Sequence, residues 1–502
     1  MLTIVSEAAK PFVTPCYTTL RDEEAAEILL SSEYTDSLRG NDAADVRWLL
    51  AERVSRALSG ADLQGVAGSH ERVVRLAAPA GRTSPFEWLR EQRQFPKTYW
   101  SGRCERSGVA AVGIADVREM DGSEGAGSLR KLLAALPDTE SSGARYYGGT
   151  RFDARRRPDE EWAAFGAYRF VLPRFELHTG DAETTLVCNL VLPRDAQSAP
   201  EILEQIEDLS LPVDAFGASL PIPVWREDSP DFRGWRENIE RALGAFSEGR
   251  LGKVVLARRA EIGFDGDIDA ALLLEGLKEA TPNCFHFYIE PESGVAFLGA
   301  SPERLFNRDG SSVVSEAVAG TRPRGLSSED DEGLRDDLMH SAKDLSEHSY
   351  VRAGIGEALA PLCEELEIDT DVAEMKLARG RHLRSKVRGI LREGVTDAGL
   401  LEALHPTPAV GGHPREGALE EIRDLEPFDR GLYAGPVGWI GADASEFAVG
   451  IRSGLVRGRT LALYSGAGIV AGSVPDEEWA EIEQKISDFT GMFGLEQGNA
   501  AS

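Results

Sequence analysis

Residues 432–485 read LYAGPVGWIGADASEFAVGIRSGLVRGRTLALYSGAGIVAGSVPDEEWAEIEQK, and this stretch decides the fold class. Leu432–Ile440, Glu446–Val456 and Thr460–Ser465 are apolar, β-branched and aromatic-rich runs separated by polar or Gly turns, so they read as consecutive antiparallel strands. A helix follows, from about Pro475 to Thr490, with Pro at its start and acidic residues in its first turn. Strand follows strand with no helix between them, which argues against a doubly wound parallel sheet. The expected class is α+β, with large, mainly antiparallel sheets flanked by helices.

The rest of the chain fits that class. YWSGRCERSGVAAVGIADV reads as two short strands around a polar turn. ARYYGGTRF, WAAFGAYRFVLPRFELH and TTLVCNLVL read as further strands. Pro212–Pro223 is a Pro-rich loop, and Asp231–Glu248 is a helix with Trp235, Ile239, Leu243 and Phe246 on one face. Strands are expected at Lys253–Arg259 and Val313–Ala317, a hairpin at Cys284–Ile289 and Val295–Gly299, and helices at Asp267–Ala280 and Glu329–Leu359. Residues 1–80 divide off as a variable N-terminal region packing on a main unit of residues 81–494, and 495–502 as a disordered tail.

Composition excludes several classes. The 502 residues carry a net charge of −29, the wrong sign for nucleic acid. Acidic residues recur along the whole length, the pattern of a solvated acidic surface suited to a high-salt cytoplasm. No apolar run reaches the roughly 18 residues of a membrane span, and the N-terminus has no signal-peptide pattern. The five cysteines are scattered, without a CxxC, which argues for a reducing cytoplasm and against a disulfide or zinc framework. An anionic substrate would be repelled by such a surface, so its site must hold local cations.

Candidate cations and acids stand out. Lys253 lies in the apolar strand LGKVVLARR, where lost solvation would lower its pKa and make it a general base; the plainer reading is a strand-edge lysine. Glu303 follows the small residues of GASP, where a desolvated carboxyl can stay protonated and act as an acid, or else simply pair with Arg304. Asp344 and Glu347 share a helix face, and Glu478 and Glu481 repeat the spacing on the last helix. Two such pairs can build an all-oxygen site suited to Mg²⁺, or form an acidic solvated face. Arg452 lies in the apolar FAVGIRSGLV and needs an anionic partner. Lys485 is one turn beyond Glu481, Tyr433 opens YAGPVGW, and the glycines of Ser465–Gly472 form a turn able to offer N–H groups to a carboxylate. No nucleotide-binding Gly motif is present.

Together these segments resemble the chorismate-binding enzymes, the anthranilate synthase component I-like fold shared by anthranilate, aminodeoxychorismate, isochorismate and salicylate synthases. The resemblance is strong from about Phe232 to Gly494 and weaker from about Pro96 to Leu192, where YWSGR and GGTRF recur in isochorismate synthases. It implies that Lys253 activates water for attack on C2 of chorismate while Glu303 protonates the departing C4 hydroxyl. It implies Mg²⁺ on Glu347 and Glu481, with Asp344 and Glu478 as neighbouring acids. Tyr433 and Arg452 would hold the enolpyruvyl carboxylate, Lys485 and the Gly466 backbone the ring carboxylate; Gly320, Thr321, His382 and Ser385 also match site positions.

Three positions choose within the family. Lys253 stands where ammonia-using members usually have Gln, Ala319 where aminodeoxychorismate synthases often have a nucleophilic Lys, and Ala409 where salicylate synthases tend to have Thr. The resemblance therefore implies a magnesium-dependent isochorismate synthase, an isomerase probing chorismate without nucleic acid, membrane or an obligatory amidotransferase subunit, and serving menaquinone formation. Salicylate synthase and an ammonia-using anthranilate-type synthase are the alternatives.

Overall fold

The computed structural model describes residues 43–495 except 60–70, 82, 104–106, 121–127, 135, 138, 140–141, 181–182 and 212–218. Residues 1–42 and the tail 496–502 lie outside the described residues, as do Cys16, Cys104 and most of the Pro-rich loop.

Two sheets dominate, one of twelve strands and one of ten. Every pairing among the described residues is antiparallel. The centre of the larger sheet runs Lys97–Ser101, Phe285–Glu292, Val295–Ser301, Ser453–Arg457, Thr460–Ile469, Lys253–Phe264. The centre of the smaller sheet runs Gly380–Leu391, Ser312–Pro323, Arg304–Asp309, Ala444–Val449, Pro436–Ile440. Strand Arg72–Gly81 is part of the larger sheet, paired with Thr184–Leu192. The sheet therefore begins before residue 81, and the division expected at residue 80 runs through its edge strand.

The strands alternate between two cores. Along Val295–Ser301, Phe297 enters the core between the sheets with Trp162, Phe287 and Phe447. Ala296, Leu298 and Ala300 enter the second core, under helix Ala270–Ala280 with its fully buried Leu273, Leu274 and Leu277. This is the period-2 signature of a sheet covered on both faces. Helix Phe232–Ser247 starts where the Asp231 side chain accepts from Gly234 N, and buries Trp235 and Ile239. Ser341 separates helices Ser328–His340 and Ala342–Leu359, capping the second by accepting from Asp344 N at 3.3 Å.

Three expectations change. Trp162–Phe165, expected as strand, lies in a short 3₁₀ turn, Glu160–Phe165, and Trp162 is fully buried there. The run Glu446–Val456 is two strands in different sheets, Ala444–Val449 and Ser453–Arg457. Gly450, Ile451 and Arg452 carry the chain across, and Arg452 adopts φ +50°. Apolar residues lie on both sides of the crossing, so the sequence pattern hides it. Finally, the glycine-rich segment is mostly strand: Thr460–Ile469 pairs with Lys253–Phe264 through Gly468 and Ile469.

Candidate active site

Two chain crossings between the sheets lie side by side and frame the site. One passes from Val295–Ser301 through Pro302 and Glu303 to Arg304–Asp309. The other passes through Gly450–Arg452. They are stitched together by Ala300 N donating to Arg452 O at 3.0 Å and Val449 N donating to Glu303 O at 3.1 Å. Arg452 is thus not the strand residue expected. Its left-handed backbone costs on the order of 1 kcal/mol and turns its side chain toward the last helix. Its guanidinium donates to Lys485 O and Asp488 Oδ2, both at 3.3 Å.

Lys253 begins its strand with no exposed surface, and its ammonium sits 3.0 Å from Glu347 Oε1. The strand-edge reading is excluded by that burial. Glu303 is 4% exposed. Burial pushes its carboxyl up to about 8; Lys253 and Lys485 pull it down and Glu316 adds to the rise. At neutral pH it is a protonated acid.

Glycines on the next strand form the floor. A Cβ at Gly468 would lie 2.1 Å from Glu347 Oε1 and 3.1 Å from Lys253 Cε. A Cβ at Gly466 would lie 2.9 Å from the Tyr433 hydroxyl. These glycines make room for side chains rather than forming the turn expected to present N–H groups. Tyr433 stacks on Tyr464 with centroids 5.3 Å apart, and burial raises its phenol pKa. Lys485 donates to Gly466 O at 2.8 Å and pairs with Glu481 at 2.7 Å.

His382 meets Gly320 O at 3.0 Å and Thr321 Oγ1 at 3.2 Å through Nδ1. Burial first, then Arg452, pushes its pKa down to about 3, so the ring is neutral. Gly320, at φ +72°, passes so close to Asp344 that a Cβ would meet Asp344 Cβ at 3.0 Å. Ser385 does not join them. It lies three residues beyond His382, on the other face of the strand, and donates to Asp371 O at 3.3 Å. Ala409 sits in the turn between Thr407 and Gly411, its N–H donating to Thr407 Oγ1 at 3.3 Å. The chain leaves this turn as Gly412–His413, paired with Lys253 and Val254.

Among the described residues no three carboxylates or imidazoles are gathered to hold a metal. Each expected carboxylate has a cation instead. Lys343 pairs with Glu478 at 2.6 Å, Lys485 with Glu481, Lys253 with Glu347, and Arg322 with Asp344 at 2.8 Å. Three of the four, Asp344, Glu478 and Glu481, lie near enough to Lys343 to act on its charge. Burial opposes the charge on Lys343, but Glu478, Glu481 and Asp344 together raise its pKa. Burial and the charge on Glu481 raise Glu478, whereas Lys485 and Lys343 outweigh burial and lower Glu481. The donor set is all carboxylate oxygen, which fits a hard divalent ion. Lys343, standing inside KDLSEH beside the acids, was not singled out from sequence.

The family described as "Chorismate binding enzyme" matches residues 59–494. The chain belongs to the chorismate-binding enzymes. It is 34% identical over 453 residues to isochorismate synthase 2, chloroplastic, of Arabidopsis thaliana, covering 83% of this chain and 80% of that one. The solved menaquinone-specific isochorismate synthase MenF of Escherichia coli superposes with TM-score 0.77 at 29% identity, covering 90% of this chain and all of that one. Anthranilate synthase component I of Streptococcus pneumoniae shares the fold, with TM-score 0.64 at 19% identity, over 80% of this chain and 94% of that one. The expected α+β class with large antiparallel sheets holds. No helix among the described residues is long and apolar enough to cross a membrane.

Proposed function

We propose that this enzyme converts chorismate to isochorismate. The observation that carries the reading is a buried glutamic acid, Glu303, kept protonated up to about pH 8 beside a fully buried lysine, Lys253. An acid and a base facing one substrate are what a paired addition and elimination needs. Lys253, as the free amine, takes a proton from water as its oxygen bonds to C2. Both ring double bonds shift, the C4–O bond breaks, and Glu303 gives its proton to that oxygen, which leaves as water. Water is gained and lost, so the reaction is an isomerisation.

Arg452 and Tyr433 orient the enolpyruvyl carboxylate, and Lys485 with the Gly466 backbone orients the ring carboxylate. Gly320, Thr321 and the neutral His382 complete the wall. Glu347 and Glu481, with Asp344 and Glu478 beside them, are the residues that would hold magnesium. Bound there, the ion supplies positive charge for a dianion in an otherwise acidic protein. The reading includes action in the cytoplasm without an amidotransferase subunit, and a place in menaquinone formation, supported by likeness to the E. coli enzyme.

The test is chorismate turnover by the purified chain with and without Mg²⁺, in low salt and in molar KCl, with products separated by chromatography. Isochorismate appearing only with Mg²⁺ is the expected result. Salicylate with pyruvate would replace the reading by a salicylate synthase. An ammonia-dependent aromatic amine would replace it by an anthranilate-type activity.

A further inference from the structure

The YWSGR motif in the first half of the chain has no place in the reaction above, yet its arginine reaches the acid. Arg103 donates to Pro302 O at 2.9 Å and to Glu316 Oε1 at 2.7 Å. Pro302 is the residue immediately before Glu303. The other polar backbone atoms of this crossing are also fastened. Glu303 N donates to Ser301 Oγ at 3.2 Å, and Glu303 O accepts from Val449 N. Beyond it, Arg304 pairs with Glu446 at 3.0 Å and lies 3.9 Å from Glu316. Arg103 and Arg304 both lie over the ring of Phe285, at 5.4 and 5.5 Å from its centroid. Glu316 has no exposed side-chain surface, and Arg384 is also within 3.9 Å of it.

We infer that Arg103 and Glu316 are positioning residues for the general acid: the Arg103 fork ties the Pro302 carbonyl to the buried Glu316 carboxylate and so fixes the turn that carries Glu303. The inference rests on Glu303 being the acid. The charged groups that act on Glu303 are Lys253 and Lys485, which favour its carboxylate, and Glu316, which favours its acid form. Arg103 neutralises Glu316 and so moderates that push. The two residues therefore act on Glu303 in opposite directions, which a purely structural role would not do.

The experiment is the pH dependence of kcat for chorismate turnover in Arg103→Ala, Arg103→Lys, Glu316→Gln and Glu303→Gln. Activity needs protonated Glu303, so its loss sets the alkaline limb. Glu316→Gln removes the anion and leaves the arginines unbalanced, so the limb moves to lower pH. Arg103→Ala leaves the anion less balanced, so the limb moves to higher pH while kcat falls about tenfold or more through lost positioning. Arg103→Lys keeps the charge but not the fork, so kcat falls with the limb near its wild-type position and KM little changed. It reads the same contact if Arg103→Ala does not fold. Limbs fixed at the wild-type pH in both Glu316→Gln and an Arg103 variant, with kcat intact, overturn the inference. A fully active Glu303→Gln would instead overturn the assignment of the acid, independently of Arg103.

Discussion

Glu303 and Glu316 are both buried glutamates, 4% and 1% exposed, and burial alone raises the pKa of each. They end on opposite sides of the ordinary carboxyl value. Arg103 donates directly to Glu316 at 2.7 Å, and Arg304 and Arg384 stand 3.9 Å away. Together they hold it below the usual range. Lys253 and Lys485 act on Glu303 through space and do not offset its burial. Depth does not decide protonation here; the distance and geometry of the cations do. The same neighbourhood thus keeps one carboxyl as a structural anion and another as a proton donor.

The sharpest way to break that contrast is to make the same substitution at both positions. Glu303→Gln removes the proton donor, and kcat should fall by about 10²–10⁴-fold, the usual worth of a placed general acid. Its effect on stability has the opposite sense. The folded-state pKa is raised from 4.5 to about 8, so Glu303 costs nothing below about pH 4.5; its penalty grows as pH rises from there to about 8, while the unfolded chain ionises and the folded one does not, and is constant above. Glu303→Gln should therefore resist urea better than the parent at pH 9, by on the order of a few kcal/mol, and little better at pH 4.5. Glu316→Gln should destabilise at neutral pH by about 1–3 kcal/mol, because it removes the buried anion to which partly buried Arg103 donates. Equal urea midpoints for the two variants at pH 9 would mean the two carboxyls do not differ as described.

A second contrast separates carboxylates paired with lysine from those paired with arginine. Lys343 and Lys485 are flexible point charges that can swing away from Glu478 and Glu481, whereas Arg322 holds Asp344 more rigidly. Glu481→Gln should raise the Mg²⁺ concentration needed for half-maximal turnover by about tenfold or more, comparable to losing a supporting ligand contact. An unchanged magnesium titration would remove Glu481 from the metal site. Gly468→Ala should act less strongly. The new Cβ would have to displace the Glu347 carboxylate from 2.1 Å, disturbing its pairing with Lys253. A fall in kcat within about a hundredfold, with an intact urea midpoint, is expected from misplacement on this scale.

Much of this was legible because the chemistry rides on regular elements. Helical spacing placed Asp344 with Glu347 and Glu478 with Glu481, and apolar strand context marked Lys253 before any contact was known. The crossings were not legible. Glu446–Val456 reads as one mainly apolar run, yet Gly450–Arg452 carries it from one sheet to the other, which shows in the separate strand pairings and in the backbone angle of Arg452. The Gly466 and Gly468 strand was hidden for a related reason: glycines that look like a turn are needed where bulky neighbours press on a flat strand. Strand parity puts Ser385 on the opposite face from His382, which a motif match does not carry. Arg103 and Glu316 lie far apart in sequence, and no local pattern joins them.

The smallest effect is expected at Ala409, where the sheet frame is not touched. The side chain is partly buried against the core between the sheets, in a turn whose Thr407 hydroxyl already accepts from Ala409 N. The short strand after this turn, Gly412–His413, pairs with Lys253 and Val254. A threonine there adds a hydroxyl and a methyl to the turn without altering charge. Stability should change by less than about 1.5 kcal/mol, the scale of a modest overpacking. If this turn governs whether the product is held long enough for elimination, Ala409→Thr raises the pyruvate-to-isochorismate ratio while Glu303 and Lys253 go on working as before. A ratio identical to the parent, measured by coupled pyruvate detection on the same reaction mixtures, would move the control of product fate away from this turn and toward the residues that hold the enolpyruvyl carboxylate.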